Sequence, residues 1–402
     1  MKPVTYWITQ IIRLGVGALF IFSGFVKAID PLGTSYKIEE YFVELGLAFL
    51  EPMSLTFSIV MIVFEILLGI ALLLGYRAKL TMWLLFLMIL FFTFLTGFTY
   101  LSGFDISWSN FYKPWTWVFY ETNMKVTDCG CFGDFLPLHP KQSFFKDVVL
   151  TGLIVWLMWF KKYIERLLPT FTNNIIIGVS TISFFIYCFS NFWWGLPQVD
   201  FRPYAVGESI LKNMESTPDK LEMTYYYVNK GTGEEQAFIF PDKPKNRDEW
   251  DYARDEKGEI KRIDKVLEAG IKARISNFKV ENDKGELMDD EILYNSDYSF
   301  MVVAYELDHT KVKVFEEKLN ALALKADEAG QAFFALTASS NIDEFRHDVQ
   351  AAYPFYSGDG TFLKTIIRSN PGLLLLKGDT VKGKWHHTDI PEYDYIKQNF
   401  MK

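Results

Sequence analysis

A chain of 402 residues in which half are apolar and 17% aromatic, with a formal net charge of −8, is long enough for two or more domains and too apolar for a disordered tail. The acid surplus is confined to residues 201–402, which hold 28 Lys+Arg against 36 Asp+Glu, while residues 1–200 hold 13 of each. That balance argues against nucleic acid as a partner and calls for two solvents, lipid for the first half and water for the second.

Runs of about 18 or more nearly uncharged residues are the signature of spanning helices. They occur at 7–26, 54–76, 80–100, 144–160 and 174–195, which predicts five transmembrane helices. The first run is followed by Lys27, Ala28, Ile29, Asp30 and Pro31 rather than a small-residue cleavage site, so it reads as a retained anchor. Arg77 and Lys79 lie in one connection and Lys161, Lys162 and Arg166 in the next but one, which places both inside. The first loop, with Glu39, Glu40, Glu44 and Glu51, then lies outside with the loop 101–143 and everything after Gly195. In a bacterium this is an inner-membrane protein in contact with the lipid bilayer, its amino terminus cytoplasmic and its carboxy-terminal half periplasmic.

Glu65 stands near the middle of the second span, where a charge costs about 2.5–3.5 kcal/mol on insertion scales. It needs a partner, and Arg13 and Lys27 on the first span are the candidates. Two readings stand, a packing device and a site that carries protons or binds a polar ligand. Gly15, Gly17, Ser23 and Gly24 on the first span predict close helix approach.

Two of the three cysteines, Cys129 and Cys131, flank Gly130 in the long outer loop. A disulfide closed over one residue is strained, and strain favours exchange with other thiols on the oxidising side of a membrane. A structural disulfide bracing the loop and a metal site shared with Asp128, Asp134 or His139 are the rival readings, although the second cysteine pair or paired histidines of structural zinc sites are missing, so no metal is assigned. Cys188, near the outer end of the fifth span, is either a resolving thiol or a small buried core residue.

Arg13-Leu14-Gly15 through Phe22-Ser23-Gly24-Phe25-Val26-Lys27-Ala28-Ile29-Asp30-Pro31, with Glu65-Ile66-Leu67-Leu68-Gly69, resembles the DoxX family of four-helix membrane proteins. Cys129-Gly130-Cys131-Phe132-Gly133-Asp134 resembles the related MauE family, implicated in maturing a disulfide-rich periplasmic dehydrogenase. The resemblance covers roughly residues 8–165. It implies a four-helix bundle plus one added span, a link to envelope thiol redox, and quinone as a cofactor.

The chain then divides into a bundle at 1–170, a fifth span and Pro-rich linker at 171–205, a β-rich segment at 206–295, and an α/β domain at 296–402. In the third of these, 221–240 predicts a hairpin turning at Lys230-Gly231-Thr232-Gly233, 262–269 a helix, and 276–287 a strand and turn. Tyr225, Tyr226 and Tyr227 alternate faces. In the last, strands at 299–305 and 332–338, helices at 312–329 and 341–351, a short strand at 354–356, a helix at 360–368 and a hairpin over 372–385 predict an open sheet with helices on both faces.

That order resembles the thioredoxin-like fold of TlpA-type envelope proteins, in which Pro371 takes the place of a cis-proline. Where such proteins carry Cys-x-x-Cys this chain reads Glu306-Leu307-Asp308-His309-Thr310-Lys311, and no cysteine follows Cys188. Without a thiolate the domain performs no disulfide exchange. What the resemblance leaves is a groove formed by Pro371, Leu307, Asp308 and His309 that docks an extended peptide. His386 and His387 read as a solvated pair.

The reading is a redox-linked accessory protein of the envelope. Cys129 and Cys131 are the exchanging pair, Glu65 with Arg13 or Lys27 serves proton traffic, and the cysteine-free domain holds a protein client. A non-enzymatic scaffold or assembly factor is the alternative, and a small-molecule transporter the third.

Overall fold

The computed structural model describes residues 2–105, 119–126, 130–256, 258–268, 270–276 and 278–401. Asp128, Cys129 and the segment 106–118 of the long loop lie outside the described residues.

The first half is helical: α1 (Val4–Ile29), α2 (Pro31–Glu44), α3 (Ser54–Leu74), α4 (Ala78–Ser102), α5 (Pro140–Trp159) and α6 (Thr170–Ser190). Four segments are long and apolar enough to cross a membrane, Val4–Ile29, Ala48–Leu74, Ala78–Ser102 and Thr170–Ser190. The fourth expected span, 144–160, is α5, and it falls outside that group because its first half carries polar residues, among them Lys146 and Asp147. It nevertheless packs along α4 and runs the height of the bundle. At one end, Gln10 donates to the Tyr163 carbonyl just past α5 (2.7 Å), and Leu167 N–H donates to Leu74 O at the end of α3 (3.0 Å). At the other, Asn191 beyond α6 donates to Ala28 O near the end of α1 (3.0 Å). The amino terminus and the soluble half therefore lie at opposite ends.

Two glycines let α1 and α3 touch. A Cβ at Gly24 would stand 2.5 Å from Ile66 Cγ1, and one at Gly69 2.7 Å from Gly17 O. Gly15, expected in the same seam, instead has nothing within 4 Å of its would-be Cβ. The acidic first loop is in fact α2, started by Asp30, whose carboxylate accepts from Gly33 N–H (2.9 Å), with Pro31 at its first position. Its buried side holds to the bundle through Ser35 to Ser54 (3.0 Å) and Tyr41 to Thr99 (2.7 Å).

The second half opens with α7 (Ile210–Met214), tied to the later hairpin by Ile210 N–H to Asp379 O (2.9 Å). Four strands follow, β1 (Lys220–Asn229), β2 (Glu235–Ile239), β3 (Trp250–Tyr252) and β4 (Arg262–Glu268), forming one sheet around β1. The helix expected at 262–269 is thus strand β4. Its apolar residues gain neighbours as a strand, with Ile263 opposite Thr224 and Val266 opposite Leu221 on β1.

The remaining chain gives β5 (Val280–Glu281), α8 (Asp289–Leu293), β6 (Tyr298–Val303), α9 (Val312–Val314), α10 (Asn320–Glu328), β7 (Ala332–Thr337), α11 (Ile342–Asp348), β8 (Phe355–Gly358), α12 (Gly360–Ile366), β9 (Gly372–Lys377), β10 (Thr380–His386) and α13 (Tyr393–Phe400). A π-type turn, Phe315–Leu319, joins α9 to α10. The six strands lie in the order β10-β9-β6-β7-β8-β5, with β6, β7 and β8 parallel. Alternate residues feed two cores, Phe300, Val302 and Leu373 into one, Met301, Val303 and Leu374 into the other, so the central strands read as unbroken apolar runs.

The two halves are joined by a buried ion pair. Arg368 Nε lies 2.8 Å from Asp30 Oδ2, with the guanidinium side chain 6% exposed, and its Nη2 lies 3.4 Å from Asp134. Burial pushes the Asp30 carboxyl up, but Arg368 and Arg202 outweigh it and hold it below the usual carboxylate range. Tyr36 on α2 meets Tyr305 beyond β6 (3.2 Å), and Phe135 packs edge-on against Phe201. Nearby, Asp200 accepts from Arg202 Nε and Lys384 Nζ, both at 2.7 Å.

Arg368→Met should lower stability by about 3–5 kcal/mol, since Asp30 stays buried without its cation, and adding Asp30→Asn should restore part of it. Thermal unfolding in detergent reads this; an unchanged Tm for Arg368→Met would show that docking rests on other contacts. Burial also raises the Asp200 carboxyl, yet Arg202 and Lys384 override it and hold the group at about 2, against an ordinary 3.8. The unfolded chain binds this proton first as pH falls, so the contribution, about 2 kcal/mol, is whole above the ordinary value and vanishes towards pH 2. Acid titration of Asp200→Asn should lack that component; an identical acid limb would refute the assignment.

Candidate functional site

Four helices and one loop converge on a small pocket of about 20 Å³, lined by charged side chains, towards the soluble end of the bundle. From α1 come Ser23 and Lys27, one helical turn apart and so on one face. Glu65 enters from α3, Phe92 from α4, Lys146 and Asp147 from α5, and Cys131 and Phe132 from the loop before it.

Lys27 Nζ stands 2.8 Å from Glu65 Oε2, with the two side chains 3% and 4% exposed. Lys27 also donates to Ser23 Oγ (3.2 Å) and lies over the Phe92 ring at 4.5 Å. Ser23 in turn donates to the Cys131 carbonyl (2.9 Å), so α1 holds the cysteine loop over the ion pair. On the facing side, Lys146 Nζ is 2.7 Å from Asp147 Oδ1, and Thr96 on α4 donates to Asp147 Oδ2 (3.0 Å). Both carboxylates are thereby neutralised locally, which is what water-poor surroundings demand.

Cys131 is a half-buried free thiol. Burial pushes it above the ordinary thiol range, while Lys146 and Lys27 act in the opposite sense. The Ser143 hydroxyl, wholly buried, is a further neighbour that favours the thiolate.

Of the two partners open to Glu65 in sequence, the structure brings Lys27. Arg13 points to the other end of the bundle, where it donates to Leu72 O (2.9 Å) and Leu73 O (2.6 Å), the last carbonyls of α3. Cys188 is wholly buried in a core with Ala28, Ile62, Ile66 and Phe192. Asp134 lies against Arg368 and His139 caps α5, and among the described residues no three His, Cys, Asp or Glu side chains converge as a metal cluster.

The proposed groove residues do gather. Pro371 follows a cis peptide bond and is buried, and Asn370 donates to Glu306 O (2.7 Å), beside the turn Leu307–His309. Leu307 is buried, Asp308 accepts from Asn341 (3.0 Å), and His309 is exposed against Glu306 (3.2 Å). The flanking Tyr305 and Arg368 contact α1 and α2, so this edge faces the bundle. His386, expected in solvent, is buried and bonded to Thr388 Oγ1 (2.8 Å), and His387 meets the Ser369 hydroxyl (3.1 Å). Burial holds the His387 imidazole down at about 4.

Lys146 and Asp147 were not among the residues expected here. Their signal was the pair of opposite charges that interrupts the fourth apolar run, legible as a defect in a span rather than as part of a site.

The family model described as Methylamine utilisation protein MauE matches residues 5–109, which include Ser23, Lys27, Glu65 and Thr96 but stop short of Cys131 and α5. No curated protein and no solved structure matches the chain.

Removing either member of the Lys27–Glu65 pair leaves a buried charge, so Lys27→Met and Glu65→Gln should each destabilise, with Lys27→Met the worse at about 3–5 kcal/mol. The double variant should lose less than the sum of the two. Strict additivity in a double-mutant cycle of detergent unfolding would mean that the pair is not coupled.

Proposed function

We propose that this chain is a membrane accessory protein of the bacterial envelope whose cysteine pair exchanges disulfides with a client protein. The observation that carries this reading is a thiol, Cys131, seated at the mouth of a polar pocket whose four charged groups come from α1, α3 and α5. Cysteine reactivity needs such an electrostatic setting, and a structural thiol does not.

The exchange balances without a further reactant. The Cys131 thiolate attacks one sulfur of a client disulfide, a mixed disulfide forms, and the other client sulfur leaves as thiolate and takes a proton. Cys129, two positions away in sequence, then attacks the mixed disulfide, leaving Cys129 joined to Cys131 and the client reduced. Run in reverse, the same steps oxidise a client.

Basic residues Arg77, Lys79, Lys161, Lys162 and Arg166 at the end opposite Cys131 support a cytoplasmic amino terminus and a periplasmic site. The strand order β10-β9-β6-β7-β8, with helices between the parallel strands, supports a thioredoxin-like reading of the last domain, whose cysteine-free groove would hold rather than oxidise. A scaffold role is favoured instead by one feature, the buried Arg368–Asp30 pair that draws the groove edge onto the bundle.

Thiol trapping of purified Cys188→Ser protein across graded redox buffers tests the proposal. Reversible closure of Cys129 with Cys131, or a mixed disulfide with a client, is the expected result. A pair that never closes, or never opens, would leave the scaffold.

A further inference from the structure

A thiolate at Cys131 raises a difficulty that the pocket itself answers. As drawn, Lys27 and Lys146 balance Glu65 and Asp147, and the thiol is neutral. Were the thiol proton lost to solvent, the pocket would carry one uncompensated negative charge at the edge of the bilayer, which is costly where water is excluded. Passing the proton to a carboxylate within the pocket forms the thiolate without changing the net charge.

The two carboxylates are not equivalent for this. Glu65 is committed to Lys27 at 2.8 Å, deep between α1 and α3. Asp147 shares its Lys146 with the sulfur: both line the pocket with Cys131, Lys146 Nζ stands 2.7 Å from Asp147 Oδ1, and Lys146 is the cation that most favours a Cys131 thiolate while Asp147 opposes it. Lys146 also lies over the ring of Phe132, the residue next to Cys131, at 5.2 Å. Among the described residues, the charged groups that line the pocket with Cys131 are Lys27 from α1, Glu65 from α3, and Lys146 and Asp147 from α5, while α4 lines it with Ile89 and Phe92.

We propose that Asp147 is the proton acceptor for the Cys131 thiol and that Lys146 stabilises the negative charge on whichever of the two carries it. The S–H bond breaks and an O–H bond forms on the Asp147 carboxylate, directly or through one water, for which the pocket has room. Lys146 then changes anion, from carboxylate to thiolate, and Thr96 keeps the protonated Asp147 in place. No electron moves, and the return of the proton restores the thiol. This deepens the disulfide-exchange reading and rests on it in taking Cys131 as the reacting thiol.

The test uses full-length Cys129→Ser/Cys188→Ser protein, in which no internal disulfide forms, and follows the rate of Cys131 alkylation by N-ethylmaleimide against pH. When two groups exchange one proton internally and the transferred form is appreciably populated, the thiolate fraction changes little with pH between their macroscopic values. The rate should therefore be nearly flat across neutral pH. Asp147→Asn should convert that plateau into a climb of about tenfold per pH unit, the behaviour of an isolated thiol. Asp147→Glu should keep the plateau, and Lys146→Met should lower it. The slope is read on variants that detergent unfolding shows to be folded, because an unfolded thiol would itself climb about tenfold per pH unit.

A tenfold climb per pH unit already in the parent protein would overturn the proposal, as would no labelling at any pH. A plateau lost in Glu65→Gln but kept in Asp147→Asn would also overturn it. The redox titration described above fails or succeeds separately, because the single-thiol protein cannot take part in it.

Discussion

A carboxylate placed in the middle of an apolar helix cannot be left alone, and the architecture of the membrane half follows from how Glu65 is satisfied. Its cation arrives from α1, which must approach α3 closely enough for Lys27 to reach 2.8 Å, and the glycines at positions 17, 24 and 69 permit that approach. Once α1 and α3 are fixed at this depth, the polar first half of α5 is accommodated beside them rather than in lipid. The same charges that disqualify α5 as an ordinary span make it a wall of the pocket. The cost of one buried ion pair thus organises three helices and the loop above them.

What was legible in the sequence divides along physical lines. Apolar runs without charge have one interpretation in this composition, so α1, α3, α4 and α6 were plain, as were β6, β7 and β9, whose two covered faces leave unbroken apolar stretches. β4 was misread because its short charged stretch is exposed on both faces, and only pairing with β1 fixes its period. α2 was missed because half of its surface faces Tyr305 and Arg368 from a distant part of the chain. The choice between Lys27 and Arg13 required knowing that Arg13 would be used on the carbonyls of α3. A charge pair in a span also carries no label; Lys146 and Asp147 acquire meaning only through the loop that puts Cys131 beside them.

The pocket is also composite in its resemblance. The segment that matches the MauE model brings Ser23, Lys27 and Glu65, whereas the sulfur, Lys146 and Asp147 come from residues beyond it. The matched part provides one buried ion pair, and the remainder a second ion pair and the sulfur. The soluble half has a similar division. Its six-stranded sheet is a scaffold with two closed cores, and what bears on the site is the short stretch around Arg368 and Pro371 at one edge.

The Arg368–Asp30 contact joins residues 338 positions apart, close to the largest separation that the chain allows. Domains generally fold in order as a chain is made, the first before the last. The bundle can therefore assemble while residue 368 is still to come, and the Arg368–Asp30 pair forms only after the distal sheet has begun to do so. Synthesis itself imposes a period in which Asp30 has no Arg368 to meet, followed by one in which the two halves are locked together, so that the history of a newly made molecule differs from that of a mature one.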